Sequence, residues 1–406
     1  MRKPAEQPRW PDRYSRQTRF APIGANGQQR LGQAGVLIVG CGALGASLAQ
    51  HMARAGIGLV RIVDRDYVEP SNLQRQVLFD EQDASDSLPK AVAAARKLRR
   101  INGEIEIDPR VLDVTNANVG ELLDGIDAVL DGTDNAAARL LLSERCFRLG
   151  IPFIYGGVAG SQGMSATLVP GATACLRCLI GDGGSDASAD TCDTIGVIAP
   201  AVEWVAALQA AEALKWLSGR REAVRNTWVT GDLWNFRIRE SALPSPSHEC
   251  DICGRAQTAE DRDRDAGKLQ SRARAMQTEG ESQELSQHQS YPMQMSENRS
   301  DLNTAGYLKL GDAQATTAIL CGRDTVQVTM EADHGIDLAA TEEWLAARGC
   351  EVASNPYLVK AVLPEGEKLV LFPDGRILVQ GTQDAARAIS LCQVYLIGMR
   401  AAYSQR

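Results

Sequence analysis

The chain has 406 residues, of which 44% are hydrophobic, and its formal net charge at pH 7 is −8. This length favours two or three folded domains, and an acidic chain lacks the basic surface that nucleic-acid binding usually requires. No apolar run approaches the roughly 20 residues that span a bilayer, and the amino-terminal segment has no apolar core typical of a secretory signal. We therefore expect a cytoplasmic protein that binds neither nucleic acid nor a membrane.

Short β-rich runs alternate with helical patterns in the first part of the chain. Because strands separated by helices of this length indicate βαβ units, we predict an α/β fold with a Rossmann-like, mostly parallel sheet and helices on both faces. A long Ala-rich helix is predicted after these units. The predicted strands cover residues 36–40, 59–64, 105–114, 128–133 and 151–157, and the predicted helices cover 45–56, 90–102, 136–150 and 199–219.

The composition changes sharply after Cys253. Residues 255–300 are charged and rich in Gln and Ser, with few large aliphatic side chains, so they cannot bury enough surface to fold alone. Beyond them, helical patterns and a hairpin with a Pro-Asp-Gly turn predict a small, separate α/β domain. The sequence thus predicts a first domain over 1–254, a flexible linker over 255–300 and a carboxyl-terminal domain over 301–406.

A glycine-rich loop follows the first predicted strand. Its sequence, "GCGALG", places Gly40, Gly42 and Gly45 as in a dinucleotide-binding loop, where glycines allow a tight turn and a close approach of backbone to phosphate. Asp64 ends the second predicted strand, where an acidic side chain can bind ribose hydroxyls. Both NAD and ATP contain that ribose, so an NAD-dependent oxidoreductase also fits these two features.

Further charged residues favour ATP. Arg75 and Lys90 can supply positive charge to phosphates, and Asp134, just after the fourth predicted strand, is an oxygen ligand suited to Mg²⁺. This set fits a triphosphate that is cleaved at its α-phosphate, whereas an oxidoreductase leaves it unused. Each residue alone also has an ordinary interpretation, as a surface charge for Arg75 and Lys90 and as a helix N-cap for Asp134.

Four of the ten cysteines form two C-x-x-C pairs, Cys175 with Cys178 and Cys250 with Cys253. Two such pairs are typical of a closed tetrahedral site for structural Zn²⁺, although the separation between them exceeds that of a compact zinc finger. A redox C-x-x-C motif is the alternative, and the presence of two pairs disfavours it.

Nine motifs resemble those of the ThiF/MoeB family, the bacterial relatives of ubiquitin-activating enzymes, in the same order. The resemblance covers about residues 10–254 and implies an adenylyltransferase that uses Mg-ATP to activate the terminal glycine of a ubiquitin-like sulfur-carrier protein with a Gly-Gly tail. Pyrophosphate is the expected by-product. The motifs are "RYSRQ", "GCGALG", "VDRD", "SNLQRQ", a lysine after the loop, "DGTDN", "CLRC", "TCDTIGVIAP" and "CDIC".

The resemblance implies a role for each matching residue of the nucleotide site. Asp64 is expected to hold the ribose and Asp134 the magnesium ion, while Asn72, Arg75 and Lys90 hold the phosphates. One position departs from the family pattern, because Ser87 stands where the family usually has glycine, three residues before the lysine.

Three further expectations follow from the resemblance. Arg16 matches an arginine that reaches into the neighbouring subunit's ATP site, which implies a homodimer. Cys192 matches a candidate sulfur-handling cysteine that could attack the acyl adenylate, although Asp190 and Asp193 disfavour its thiolate. The four paired cysteines match the zinc ligands of the family.

The carrier itself is less well defined by the sequence. ThiF-type enzymes serve thiamine thiazole synthesis with a ThiS-like carrier, and MoeB-type enzymes activate the MoaD-like small subunit of molybdopterin synthase. The carboxyl-terminal segment resembles the extra domain of ThiF-type proteins from some Gram-positive bacteria, where it follows the second cysteine pair directly. We therefore expect a ThiF-type enzyme, with MoeB-type activation as the alternative.

Overall fold

A computed structural model of the protein describes residues 12–181, 195–254, 308–310, 313–320, 324–330 and 336–396. The chain divides into two compact units, Met1–Glu284 and Leu285–Arg406. The predicted linker over 255–300 lies outside the described residues, so its boundaries stay a prediction.

The first unit is built on an eight-stranded sheet with the order β3-β2-β1-β4-β5-β6-β7-β8. Strands β1 to β5 are parallel, which confirms the predicted Rossmann-like arrangement, and β6 to β8 extend the sheet in antiparallel fashion. The two residues between β5 and β6 are too few for a parallel crossover, so this pair must form a hairpin. The strands are β1 Gly35–Val39, β2 Leu59–Val63, β3 Glu106–Arg110, β4 Ala128–Asp131, β5 Phe153–Ala159, β6 Gln162–Leu168, β7 Thr227–Asp232 and β8 Arg237–Ala242.

Helices cover both faces of this sheet, as predicted. Side chains of β1 alternate between two apolar clusters: Val36 and Ile38 pack with α3, α5 and α9 on one face, and Leu37 and Val39 pack with α6, α7 and α8 on the other. The helices are α1 Ser15–Thr18, α2 Gly24–Gln33, α3 Ala43–Ala55, α4 Glu81–Ser85, α5 Lys90–Ile101, α6 Val119–Leu122, α7 Ala136–Leu149, α8 Leu176–Ile180 and α9 Ala199–Leu217, with 3₁₀ turns at Pro70–Asn72 and Arg221–Ala223.

The second unit contains a seven-stranded antiparallel sheet with the order β12-β13-β14-β15-β11-β10-β9. The predicted Pro-Asp-Gly turn joins β14 to β15, and the described part of the unit contains two helices, which confirms a small α/β domain. The strands are β9 Leu308–Leu310, β10 Ala313–Leu320, β11 Thr325–Met330, β12 Glu351–Asn355, β13 Leu358–Val362, β14 Lys368–Leu371 and β15 Arg376–Gln380, and the helices are α10 Leu338–Ala346 and α11 Ala385–Leu396.

The helices can also be compared with the thickness of a bilayer. In the part of the chain that the structure describes, none is both long enough and apolar enough to cross one.

Candidate active site

The strand order of the first unit creates a crevice at the carboxyl ends of its parallel strands. Strands β2 and β3 lie on one side of β1, and β4 and β5 lie on the other. The order in which the chain adds strands to the sheet therefore reverses between β1 and β4. Ligands of open α/β sheets bind at such a switch point. Gly40 follows β1, Asp64 follows β2 and Asp134 follows β4, so the structure brings these predicted residues to one edge.

The glycine loop is packed without space for side chains at two of its three glycines. A Cβ atom on Gly45 would lie 1.7 Å from the Gly40 carbonyl oxygen, and one on Gly40 would lie 2.5 Å from the Gly132 carbonyl oxygen. Gly40 also has a φ of +81°, which favours glycine. Gly132 belongs to the "DGTDN" motif, and its contact with the loop is a feature that the sequence analysis missed.

Gly42 differs from its two neighbours because its α-carbon faces open space. The nearest atom to a Cβ placed there is Nε2 of Gln76 at 3.8 Å. Gly42 is also the N-cap of α3, so this open side lies at the start of a 13-residue helix, where backbone N–H groups and the helix dipole favour a phosphate.

This contrast predicts different outcomes for two alanine variants. Gly45→Ala should lower the free energy of unfolding by about 2 kcal/mol, because backbone atoms must move to admit the methyl group. Gly42→Ala should unfold at the wild-type temperature but raise the KM for ATP about tenfold, because its methyl group occupies the space next to the helix start. Thermal unfolding and steady-state kinetics of both variants measure this, and equal destabilisation by both would contradict it.

Asp64 connects the glycine loop to the end of β2. Its Oδ2 accepts a hydrogen bond from the Cys41 backbone N–H at 2.6 Å, and its Oδ1 accepts one from the Asp66 N–H at 2.7 Å. Burial raises the pKa of the Asp64 carboxyl, and the nearby Lys90 charge opposes that shift. The carboxylate is thus fixed at the loop, in the position expected of a ribose ligand.

Lys90 is the first residue of α5, and its side chain is only 4% exposed. Its Nζ lies 3.1 Å from Oδ2 of Asp66, and its backbone N–H donates to the Asp66 carbonyl oxygen at 2.8 Å. Ser87, the departure from the family pattern, has a φ of +49°, so it adopts the left-handed conformation that glycine would adopt without strain. The substitution therefore keeps the turn that leads to Lys90.

The "SNLQRQ" segment contributes two buried amides to this region. Asn72 and Gln76 are 1% and 3% exposed, and among the described residues neither Nδ2 of Asn72 nor Oε1 of Gln76 has a hydrogen-bond partner. Buried polar groups are rarely left unpaired, so these atoms fit contacts to a bound polar ligand. Arg75 is partly exposed, and its Nη1 donates to the Ser71 carbonyl oxygen at 2.9 Å.

Gln76 was missed by the sequence analysis. A polar residue directly before the apolar run Val77–Phe79 was the available signal in the sequence.

Asp134 is exposed after β4 and is not the N-cap of α7. Asn135 caps that helix, because its Oδ1 accepts a hydrogen bond from the Ala138 N–H at 3.0 Å. The pKa values of Arg65 and Arg139 both lie above the usual value for arginine. Burial, the largest single effect, would lower them, but neighbouring carboxylates that include Asp134 together outweigh it. Asp134 therefore lies near both guanidinium groups at this edge of the sheet.

The four paired cysteines come together in one cluster. The Sγ atom of Cys175 lies 3.7 Å from those of Cys178 and Cys250, and Sγ of Cys178 lies 3.7 Å from that of Cys253. A tetrahedron with Zn–S distances of 2.3 Å has S···S edges of about 3.8 Å, so this arrangement fits Zn²⁺. The cluster could hold a metal ion.

Arg16 is exposed on α1, and Cys192 lies outside the described residues.

Comparisons with known proteins agree with this fold. The model of the ThiF family matches residues 14–252. The sulfur carrier protein ThiS adenylyltransferase of Bacillus subtilis is 39% identical over 384 residues, which cover 93% of this chain and 97% of that protein. The sulfur carrier protein adenylyltransferase of Thermus thermophilus is 34% identical over 60% of this chain and 90% of its own length. A crystal structure of Escherichia coli MccB with ATP superposes with a TM-score of 0.52 and 25% identity, over 60% of this chain and 75% of that one.

A glycine loop at the switch point of a parallel sheet, with carboxylates at the same edge, defines a nucleotide-binding α/β enzyme. The chain belongs to the ThiF family, as its motifs indicated, and it is an adenylyltransferase. Family membership implies ATP as the nucleotide and disfavours the NAD-dependent alternative.

Proposed function

We propose that the protein adenylylates the carboxyl-terminal glycine of a ThiS-like sulfur carrier for thiamine thiazole synthesis. The observation that carries the proposal is the length of the alignment with the Bacillus subtilis ThiS adenylyltransferase, which covers 93% of this chain and so includes the second unit. The sulfur carrier protein adenylyltransferase of Thermus thermophilus aligns with only 60% of the chain. The shared second unit therefore favours a ThiS-like carrier over the MoaD-like alternative.

In the proposed reaction, a carboxylate oxygen of the carrier's terminal glycine attacks the α-phosphorus of ATP. The bond from that phosphorus to the oxygen bridging the β-phosphate breaks, and pyrophosphate leaves with the bonding electrons. The products are pyrophosphate and an acyl adenylate, and no redox partner is needed. A terminal glycine suits this step because it has no side chain to hinder its approach to the phosphate.

Different residues of the chain bind different parts of ATP in this proposal. The open side of Gly42 admits phosphate at the start of α3, Asp64 holds the ribose, and Asn72, Arg75 and Lys90 hold the phosphates. An ammonium group has three donors, so contact with Asp66 is compatible with a further contact from Lys90 to phosphate.

Asp134 is the proposed ligand of Mg²⁺. When bound, this ion would offset the negative charge that develops on pyrophosphate.

Three further roles complete the proposal. Cys175, Cys178, Cys250 and Cys253 hold a structural Zn²⁺, as the 3.7 Å spacing of their sulfur atoms supports. Arg16 reaches the ATP site of a second subunit in a homodimer, and its exposure on α1 is compatible with that role. Cys192 acts in the later sulfur transfer.

Pyrophosphate exchange tests the proposed function. Exchange of labelled pyrophosphate into ATP should require a ThiS-like carrier that ends in Gly-Gly, because the carrier's carboxylate is the nucleophile. Removing the last glycine leaves a tail that still ends in glycine but is one residue too short to bring its carboxylate to the α-phosphate, so exchange should be abolished. A MoaD-like carrier assayed at the same concentration should support at most about a tenth of the rate. Full exchange with the shortened carrier would contradict attack by the carboxylate of the complete Gly-Gly tail, whereas preference for the MoaD-like carrier would overturn only the choice of partner.

A further inference from the structure

A buried ion pair lies directly behind the loop that carries Asp134. Nε of Arg139, the fourth residue of α7, is 2.9 Å from Oδ2 of Asp131 at the end of β4. The Arg139 side chain is 16% exposed and that of Asp131 is fully buried. Replacing a buried ion pair by apolar groups of similar volume is often neutral or stabilising, so stability alone gives little reason for the pair.

The pair makes several contacts with the main chain of the "DGTDN" loop. Oδ1 of Asp131 accepts hydrogen bonds from the Thr133 backbone N–H at 3.0 Å and from its hydroxyl at 2.8 Å. Nη2 of Arg139 donates to the Thr133 carbonyl oxygen, and also to the Gly156 carbonyl oxygen of β5 at 3.0 Å. Thr133 is therefore held through its N–H, its hydroxyl and its carbonyl group.

The residue after Asp134 is held as well, because Asn135 is the N-cap of α7. Asp134 thus has fixed neighbours on both sides, while its own carboxylate is exposed at the carboxyl edge of the sheet. A catalytic group that is held in place before the substrate binds needs no reorganisation during the reaction.

We infer that Arg139, together with Asp131, is a positioning residue that fixes the Asp134 carboxylate for the metal-assisted adenylylation step. The inference rests on the proposed function, since it assigns a purpose to Asp134 that only adenylylation requires. Arg139 has no proposed contact with ATP and acts through the carbonyl oxygens that it binds.

The test uses a variant that removes the guanidinium without leaving an unpaired buried charge. In Asp131→Asn/Arg139→Met, the asparagine can still accept from Thr133, and the methionine fills space near Tyr155, whose ring centroid lies 5.1 Å from the guanidinium carbon. We expect kcat of pyrophosphate exchange to fall about ten- to a hundredfold, the scale for misplacing a reacting group by about 1 Å. The Mg²⁺ concentration at half-maximal rate should rise by about tenfold, and the KM for the carrier should stay within about twofold.

A matched control separates positioning from general loss of a buried arginine. Arg225, just before β7, is 15% exposed and pairs with the buried Glu212 at 3.9 Å, and it donates to the Ser165 carbonyl oxygen of β6 at 3.5 Å. Arg225→Met should alter the unfolding temperature but leave the Mg²⁺ dependence unchanged. Arg139→Lys, which keeps the charge but not the fork of donors, should recover part of the lost rate.

A double-mutant cycle completes the test. In an Asp134→Ala background, the Asp131→Asn/Arg139→Met substitutions should lower the residual exchange rate by less than about twofold, because there is no longer a carboxylate to position. A full additional loss in that background would overturn the inference, as would wild-type kinetics of Asp131→Asn/Arg139→Met. If the wild-type protein shows no carrier-dependent exchange, it is the proposed function that fails.

Discussion

Asp134→Ala is expected to lower carrier-dependent pyrophosphate exchange at least about a hundredfold while the protein remains folded. The side chain is exposed and does not cap α7, so its removal takes away no core contact and no cap of the helix. The expected effect falls on the proposed Mg²⁺ ion at the phosphates, and the loss of one preorganised electrostatic group costs about 10²–10³ in rate. Exchange kinetics and thermal unfolding measured on the same preparation check both parts.

The control for this variant is Asp124→Ala. Asp124 is also an exposed aspartate of the first unit, but it lies before β4, at the opposite edge of the sheet from Asp134. Its loss should leave the exchange rate within about twofold of wild type. Near wild-type exchange by Asp134→Ala would remove that residue from the site, and an equal loss in both variants would point to a general effect of charge.

Cys250→Ser or Cys253→Ser is expected to release one zinc ion per chain and to destabilise the first unit severely. Structural zinc contributes about 10–16 kcal/mol to folding in small zinc peptides. Losing only about 5 kcal/mol of that would lower the unfolding temperature by about 10–20 °C in a domain of this size. Metal analysis of the purified protein and thermal unfolding give the two readouts.

Cys350→Ser serves as the control for the zinc variants. Cys350 is a buried cysteine of the second unit, so its replacement also places a hydroxyl in a core, but it should leave the zinc content at one per chain. If Cys253→Ser retains stoichiometric zinc, the assignment of the four ligands is wrong. Cys192→Ser should also retain the metal, because Cys192 is not among the proposed ligands.

Most of the parallel sheet could be predicted because β1, β2, β4 and β5 are short apolar runs between helical patterns, whereas the edge strand β3 is largely polar. Such apolar runs are typical of strands buried on both faces, and they can be joined in parallel only by crossovers of the observed length. The glycine loop was equally clear, since the packing of Gly40 and Gly45 against backbone atoms excludes any side chain. These features depend on local sequence, so a single chain is enough to reveal them.

The remaining features depend on which segments meet in space. Gln76 lies close to Gly42 because of the path that the chain takes after β2, and no periodic pattern in the sequence predicts that path. In the sequence, Asp131 is recognisable only as part of a nucleotide-binding motif. The packing of α7 against β4 and β5 shows that Arg139 binds it. The choice between Asp134 and Asn135 as the helix cap is a shift of one residue, which falls within the usual uncertainty of a predicted helix boundary.

The spacing of the two cysteine pairs also affects the unfolded chain. Cys175 and Cys250, whose sulfur atoms are 3.7 Å apart, are separated by 75 residues, and the segment between them contains α9 and β7. If a metal ion joined them as firmly as a covalent cross-link, closing a loop of that length would remove about 4.5 kcal/mol of conformational entropy from the unfolded ensemble. A chain that keeps its metal on unfolding would therefore begin refolding with α9 already confined near its final place, whereas a chelated chain would have to search for it.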